Sequence, residues 1–343
     1  VDRDLVHQLA RRHIPALVVA GTVPDRDWTE LGAAAVLPDG LSPTDLLDAL
    51  VSEAEPIHPT SAATGEPIAA FGRGPDEPEA RGPLIAVLGR SGAGASTIAM
   101  ALAQDLADRV THDPTALGPT PDAARGHGRP VVLADLALHA HHAVLHDAGD
   151  VLPGLPELVD AHRDGTPSAA DVLGTTYDVP TRGYRLLLGL RRHAGWTALP
   201  ARSLRAAIDG LRSAAAVVVA DVDADVEGEA QTGSFDIEDR NHLARNAVQQ
   251  AQVVVAVCRP HATGIHGLVV LLGDLRGAGA DPSRVLVVVN GSPRLPRRRA
   301  ELARAIAILA HGAEPPAAAP AMYGALAFVP ERRGLEDVHL AVS

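Results

Sequence analysis

The sequence contains no lysine: all 30 basic residues among its 343 are arginine. That absence excludes Schiff-base chemistry and any phosphate loop that depends on a lysine ammonium. The one cysteine, Cys258, rules out an intramolecular disulfide and a thiolate-built zinc or iron–sulfur site, and favours a reducing, cytoplasmic compartment. Aromatic residues make up only 2% of the chain, so a core has to be built from Ala, Val, Leu and Ile. No apolar run reaches the roughly 18 residues needed to span a bilayer, and no signal peptide opens the chain. Positive charge is also in deficit. The 42 acids leave a formal charge of -12, which argues against a nonspecific nucleic-acid partner, whose phosphates need cations. The chain opens at Val1, which reads as a fragment or as a GTG start codon taken literally.

What is abundant is Ala, with 32 Gly and 27 Pro, the bias of a very GC-rich genome. The length predicts about two domains. Residues 1–53 read as a small α/β piece. A helix over Asp4 to Arg12 leads into the apolar run Ile14–Ala20, then comes Gly32–Pro38 and a helix from Pro43 to Val51 with Ser42 as N-cap. That order resembles the last third of a response-regulator receiver domain, which implies that the front half of such a domain is missing from this chain. Residues 54–82 lack periodicity and are rich in Pro, Gly and acids, the pattern of a linker.

Residues 83–343 form the main domain, and within them the pattern is strand–helix alternation. Continuous aliphatic runs mark buried parallel strands at Leu84–Leu88, Val131–Ala134, Tyr184–Leu188, Ala216–Ala220, Val253–Val257, Val285–Val289 and Ala325–Val329. Helices are expected over Ser96–Arg109, Arg202–Arg212, Arg240–Gln250, Ile265–Gly277 and Arg298–Leu309. A doubly wound, mostly parallel α/β fold follows.

The first of these strands runs into Gly89-Arg90-Ser91-Gly92-Ala93-Gly94-Ala95-Ser96-Thr97 and then a helix. A strand, a glycine-rich turn and a hydroxyl-bearing helix N-terminus make a phosphate cradle, because backbone N–H groups point inward and the helix dipole favours an anion. The alternative is a tight turn in which Ser96 only caps the helix. A dinucleotide fingerprint fails, since its third glycine falls at Thr97 and the next strand-end acid, Asp135, is too distant. A nucleophile elbow fails at Ala93.

The loop resembles the deviant Walker A motif, KGGxGKT, of the MinD/ParA ATPases. Arg90 then takes the place of the signature lysine, Ser91 and Gly92 the glycine pair, and Gly94 the invariant turn; Ala95 stands where the phosphate-binding lysine belongs and Ser96 where the Mg²⁺-binding hydroxyl belongs. The run Pro130–Asp147 resembles the switch I strand and loop of the CpaE/TadZ branch, with Ala137 where a second, water-orienting acid usually stands. Asp221 falls at the acid ending the Walker B-like strand, and Asn290 where many members contact adenine. Stretches such as ADVLGTTYDVPTRGYRLLLGLRRHAGW resemble actinobacterial CpaE-like proteins of the septum-site-determining group. The resemblance implies ATP or ADP with Mg²⁺ as cofactor, held by Ser96 and Asp221, with Asp135 and Asp221 as the catalytic candidates. It implies a homodimer and protein partners in a division or pilus/secretion apparatus, recruited to the septum, pole or inner membrane face. Losing a charge-assisted hydrogen bond at Ala95 costs roughly 1.5–3 kcal/mol, and Ala137 cannot position water, so weak or absent hydrolysis is expected.

Four other features have plainer readings. His139, His141, His142 and His146 have spacing that would suit zinc, but no cysteine or metalloprotease glutamate accompanies them, so solvated histidines are expected. Of the acids Asp221, Asp223, Asp225, Glu227 and Glu229, only Asp221 sits at a strand end, and the rest read as a solvated loop. The loop Leu190–Trp196 offers Arg191 and Arg192 to a nucleotide or an acidic partner, or to water alone, with Trp196 packing in the core. Pro296–Arg299 precedes Leu302, Ile306 and Leu309, which read as one face of a surface helix packed on the sheet and not as a membrane anchor.

Overall fold

The computed structural model describes residues 16–20, 27–42 and scattered helical positions up to 52, then residues 81–113, 128–149, 152–311 and 322–331. The chain divides into two compact units, Val1–Asp76 and Glu77–Ser343. The expected linker falls almost wholly outside the described residues, as do most of the helix over Asp4–Arg12 and the tail from residue 332.

In the first unit β1 (Leu17–Ala20) pairs in parallel with β2 (Ala35–Pro38), in the register Leu17 to Ala35. Val6, Val18, Trp28 and Ala33 form its small core. Ser42 behaves as the expected cap: its hydroxyl accepts from Asp45 N–H, and the Asp45 carboxylate accepts from Ser42 N–H at 2.9 Å.

The second unit holds the elements β3 (Leu84–Leu88), α1 (Ala95–His112), β4 (Val131–Asp135), α2 (His142–Leu145), α3 (Leu155–Asp164), α4 (Ala169–Gly174), β5 (Tyr177–Val179) and β6 (Tyr184–Leu187). They are followed by α5 (Ala201–Ala214), β7 (Val217–Asp221), α6 (Glu229–Thr232), α7 (Phe235–Arg240), α8 (His242–Gln250), β8 (Val253–Cys258), α9 (Ala262–Gly277), β9 (Val285–Ser292), α10 (Pro296–His311) and β10 (Ala325–Pro330). Eight strands form one sheet in the order β10-β9-β8-β3-β7-β4-β6-β5. All described pairings are parallel except β5 with β6.

The continuous aliphatic runs are explained by burial on both faces. Leu84, Ala86, Leu88, Val132, Ala134 and Val218 point into one core with Leu204, Ala207, Ile208 and Leu211 of α5. Val87, Val131, Leu133, Val217 and Val219 point into the other, against Ala99, Met100, Ala103 and Ala107 of α1. The alanine stripe of α1 lets its backbone lie close on the sheet, which fixes the turn that precedes it.

Every strand expected from the sequence is present, with ends shifted by a few residues. The helix expected over Arg240–Gln250 is instead broken at Asn241, where α7 ends and α8 begins. The Asn241 side chain is buried and donates to Glu227 O at 2.9 Å, which holds that corner. In α10 Ile306 is buried and Leu302 packs against the core, but Leu309 is exposed, so only two of the three expected positions face the sheet. Among the described residues no helix is long and apolar enough to cross a membrane.

Candidate functional site at the carboxyl end of the sheet

The chain leaves β3 towards β4 on one side, whereas β7 connects across β3 to β8 on the other. The reversal places a crevice at the carboxyl ends of the central strands, where open α/β sheets bind ligands. Gly89–Gly94 form the turn there. Gly92 and Gly94 have φ of +80° and +86°, the left-handed region that glycine adopts without a Cβ penalty. Gly89 lies so close to β8 that a Cβ would stand 2.7 Å from Val257 O. Ala93 N–H closes the turn on Arg90 O at 2.9 Å, and the first α1 bond runs from Ile98 N–H to Gly94 O at 3.0 Å. No side chain caps the helix, so Ser96 is not the cap that the alternative reading required. The amides of Ala95, Ser96 and Thr97 precede the first intrahelical bond and face the crevice end, as an anion cradle requires.

Asn290, near the end of β9, donates its amide to Ala93 O at 3.0 Å. The side chain is thus engaged with the loop backbone. Arg90 points away from the cradle: its guanidinium reaches Asp274 of α9 at 2.8 Å and Asp225 at 3.2 Å, and Gly267 leaves room for its stem. Burial pushes the Asp274 carboxyl up, and Arg90 opposes that shift. Ala95 packs against the α1-side core. Within Gly89–Thr97, Arg90 is the sole cationic side chain.

Asp135 and Asp221 end neighbouring strands at paired register positions and are both buried. Between them the structure inserts a residue that sequence reasoning assigned to solvent. His142 is fully buried, its N–H donating to Asp135 Oδ2 at 3.0 Å and its ring Nε2 lying 2.9 Å from Asp221 Oδ2. A carboxylate only accepts, so Nε2 carries the hydrogen. The other ring nitrogen, Nδ1, is buried with no partner. Burial works against a charged His142 ring, but the Asp221 hydrogen bond and the Asp135 charge outweigh it and raise its pKa. Burial likewise pushes the Asp135 carboxyl up, opposed by His142.

The solvated-histidine expectation is therefore corrected at two positions. His146 is buried too, with Nδ1 2.8 Å from His142 O and Nε2 2.6 Å from the Tyr184 hydroxyl, whose own pKa burial raises to about 12. His139 and His141 are exposed as expected. The acidic loop is corrected at Asp223, half-buried and accepting Leu138 N–H at 2.6 Å, whereas Asp225 is exposed as expected and pairs with Arg90. The signal for His142 was present in the sequence, as a histidine seven residues after a strand-end acid, but nothing local says which face it takes.

The loop after β6 carries Arg191 bonded to Glu157 at 2.7 Å and Trp196 packed partly against the core. With α3 it lines a groove of about 630 Å³ that also includes Arg163 and Arg192.

These residues fit an anion at the backbone cradle. They do not fit a magnesium ion at Asp221, one of whose two oxygens is taken by His142. Among the described residues no group of three His, Cys, Asp or Glu side chains could hold a metal.

No protein-family model and no curated protein matches the sequence. The structure is similar to a ParA family ATPase from Chlorobium tepidum TLS, with 12% identity over 76% of this chain and 89% of that one and a TM-score of 0.53. The cell division ATPase MinD of Pyrococcus furiosus aligns over 76% of this chain and 88% of its own, with 17% identity and a TM-score of 0.49. The septum site-determining protein MinD of Pyrococcus horikoshii OT3, solved with Mg-ADP, aligns over 76% and 86%, with 16% identity and a TM-score of 0.48. At 12% identity the likeness to the ParA family ATPase speaks for the fold alone, an α/β fold with a largely parallel sheet.

Proposed function

We propose that this chain is a MinD/ParA-like spatial or assembly regulator with a degenerate nucleotide site, acting on septum placement or on pilus or secretion-system assembly through protein partners. ATP turnover is weak or absent in this reading. The observation that carries it is the split between backbone and side chains at the crevice. The glycine turn and free helix amides that cradle phosphate are kept, while the cation at position 95 is replaced by Ala95 and Asp221 is engaged by His142. A phosphate at the cradle would meet dipoles and no nearby ammonium, which leaves binding weakened by about one to two powers of ten.

Homodimerisation across the nucleotide face and recruitment to a septum, pole or membrane face by partners complete the proposal. The first 53 residues would then be a partial receiver-like segment joined through residues 54–82. An alternative reading is an active ATPase in which Arg90 replaces the lost lysine. Its bonds to Asp225 and Asp274 count against this, because the guanidinium would have to leave two carboxylates to reach a phosphate. A DNA-partition role is disfavoured by the net charge of -12.

Calorimetric titration of the full chain with ATP and with ADP, each with and without Mg²⁺, tests the reading alongside a turnover assay. Weak binding that is indifferent to Mg²⁺, with no turnover, is the expected result. Mg²⁺-dependent turnover at rates typical of ATPases overturns it.

A further inference from the structure

The carboxylates of Asp135 and Asp221 sit side by side at paired positions of β4 and β7, both withdrawn from water. Two buried acids in such a place need a counter-group, since bringing like charges together out of water is costly. One residue bonds to both, and Asp135 also accepts Ala137 N–H at 3.4 Å. His142 gives its backbone N–H to Asp135 and its ring to Asp221. The surrounding bonds reinforce the arrangement: Leu136 N–H donates to Asp221 O at 2.9 Å and Leu138 N–H to Asp223 Oδ2 at 2.6 Å. Behind it, His146 ties α2 to Tyr184. Space around the pair is closed as well. A Cβ on Gly189 would stand 2.6 Å from Asp135 O and 3.0 Å from its carboxyl carbon.

We propose that the His142 side chain stands in for the divalent cation at the carboxyl end of β7, so that this chain latches its β4–α2 segment internally and takes up neither Mg²⁺ nor Mn²⁺ at Asp221. The inference deepens the proposed function and rests on it in one respect, the equivalence of Asp221 with a metal-holding strand-end acid. In a metal-dependent switch, ion and nucleotide draw the segment in together; here a covalently attached group makes the same bridge at all times. The conformation of α2 is then independent of nucleotide, and a partner that reads α2 meets one state.

The test is a Mn²⁺ titration of the full chain followed by water-proton relaxation, with thermal melts in EDTA and in Mg²⁺, on the wild type, H142A and H142A/D221N. The wild type is expected to show no Mn²⁺ site and the same melting temperature in both buffers. H142A is expected to melt roughly 5–10 °C lower in EDTA, since it keeps the backbone bond to Asp135 but leaves the buried Asp221 carboxylate without its ring partner. It should also gain a Mn²⁺ site and recover part of the loss in Mg²⁺, and D221N in the double variant should abolish both gains. A wild-type Mn²⁺ site that D221N removes overturns the proposal, as does a folded H142A indifferent to metal. If H142A does not fold, the wild-type titration compared with D221N decides alone by the same criterion. A wild-type metal site without turnover refutes the histidine latch and leaves the partner-driven role standing. Turnover in a chain whose Asp221 binds no metal refutes that role and leaves the latch.

Discussion

If Asn290 and two left-handed glycines hold the crevice loop in shape, then adding a single methyl group at Gly94 should cost more than adding one at Gly92. At Gly94, with φ of +86°, the left-handed conformation alone costs an L residue about 1–2 kcal/mol. The new Cβ would also stand 2.3 Å from the Asn290 amide nitrogen, so that amide must move and its bond to Ala93 O is lost. A lost hydrogen bond adds about 0.5–1.5 kcal/mol. Gly94→Ala should therefore destabilise by about 1.5–3.5 kcal/mol. Gly92, with φ of +80°, has nothing within 4 Å of an added Cβ, so Gly92→Ala carries the conformational cost alone, about 1–2 kcal/mol. Asn290→Ala separates the two contributions, because it removes the group the methyl would strike. The Gly94→Ala/Asn290→Ala pair should fall short of the summed single costs by about 0.5–1.5 kcal/mol. Urea denaturation with shared m-values provides the measurement. Equal costs at the two glycines, or a double variant additive within about 0.5 kcal/mol, would refute the reasoning.

Three further outcomes follow from the same structure. Cys258, 2% exposed with its thiol pushed up to about 11 by burial, should react with a disulfide reagent at pH 8 about 100-fold more slowly in the native chain than in denaturant. Rapid native labelling would contradict the buried β8 end. The unfolded thiol ionises near its ordinary value while the native one keeps its proton, so stability should fall as pH climbs past about 9, and Cys258→Ala should flatten that fall. Arg90→Ala breaks two ion pairs of a side chain that is 41% exposed, so it should cost no more than about 1 kcal/mol. If it also leaves nucleotide affinity unchanged, Arg90 is not the substitute phosphate cation, whereas a tenfold loss would favour the active-ATPase alternative.

Much of the fold was legible because its signals are local. A parallel strand buried on both faces reads as an unbroken aliphatic run, and Leu84–Leu88, Val131–Ala134 and Val253–Val257 announce themselves that way. The crevice turn was legible for the same reason, since Gly92 and Gly94 are spaced for left-handed backbone ahead of a helix. What escaped was short or long-range. The edge strand Tyr177–Val179 has three residues, two of them exposed, so it carries little hydrophobic pattern. The break at Asn241 depends on a hydrogen bond to Glu227, and the direction of Arg90 on Asp274, which lies 184 residues further along the chain. Composition could suggest that a histidine-rich loop lies in solvent; only the register of β4 on β7 shows that His142 has two acids to face.

That register also explains the placement of His142. The crevice turn is built of backbone, and its geometry survives whatever side chain stands at position 95. The acids at 135 and 221 are different, because strand pairing holds them side by side and burial denies them water. Without a counter-group the pair would be uncompensated, and breaking up a buried charge arrangement costs about 3–5 kcal/mol. A histidine at the start of α2 removes the difficulty with one residue, since its backbone N–H bonds to Asp135 and its ring to Asp221. The sheet accommodates the two acids because the β4–α2 segment carries its own counter-group.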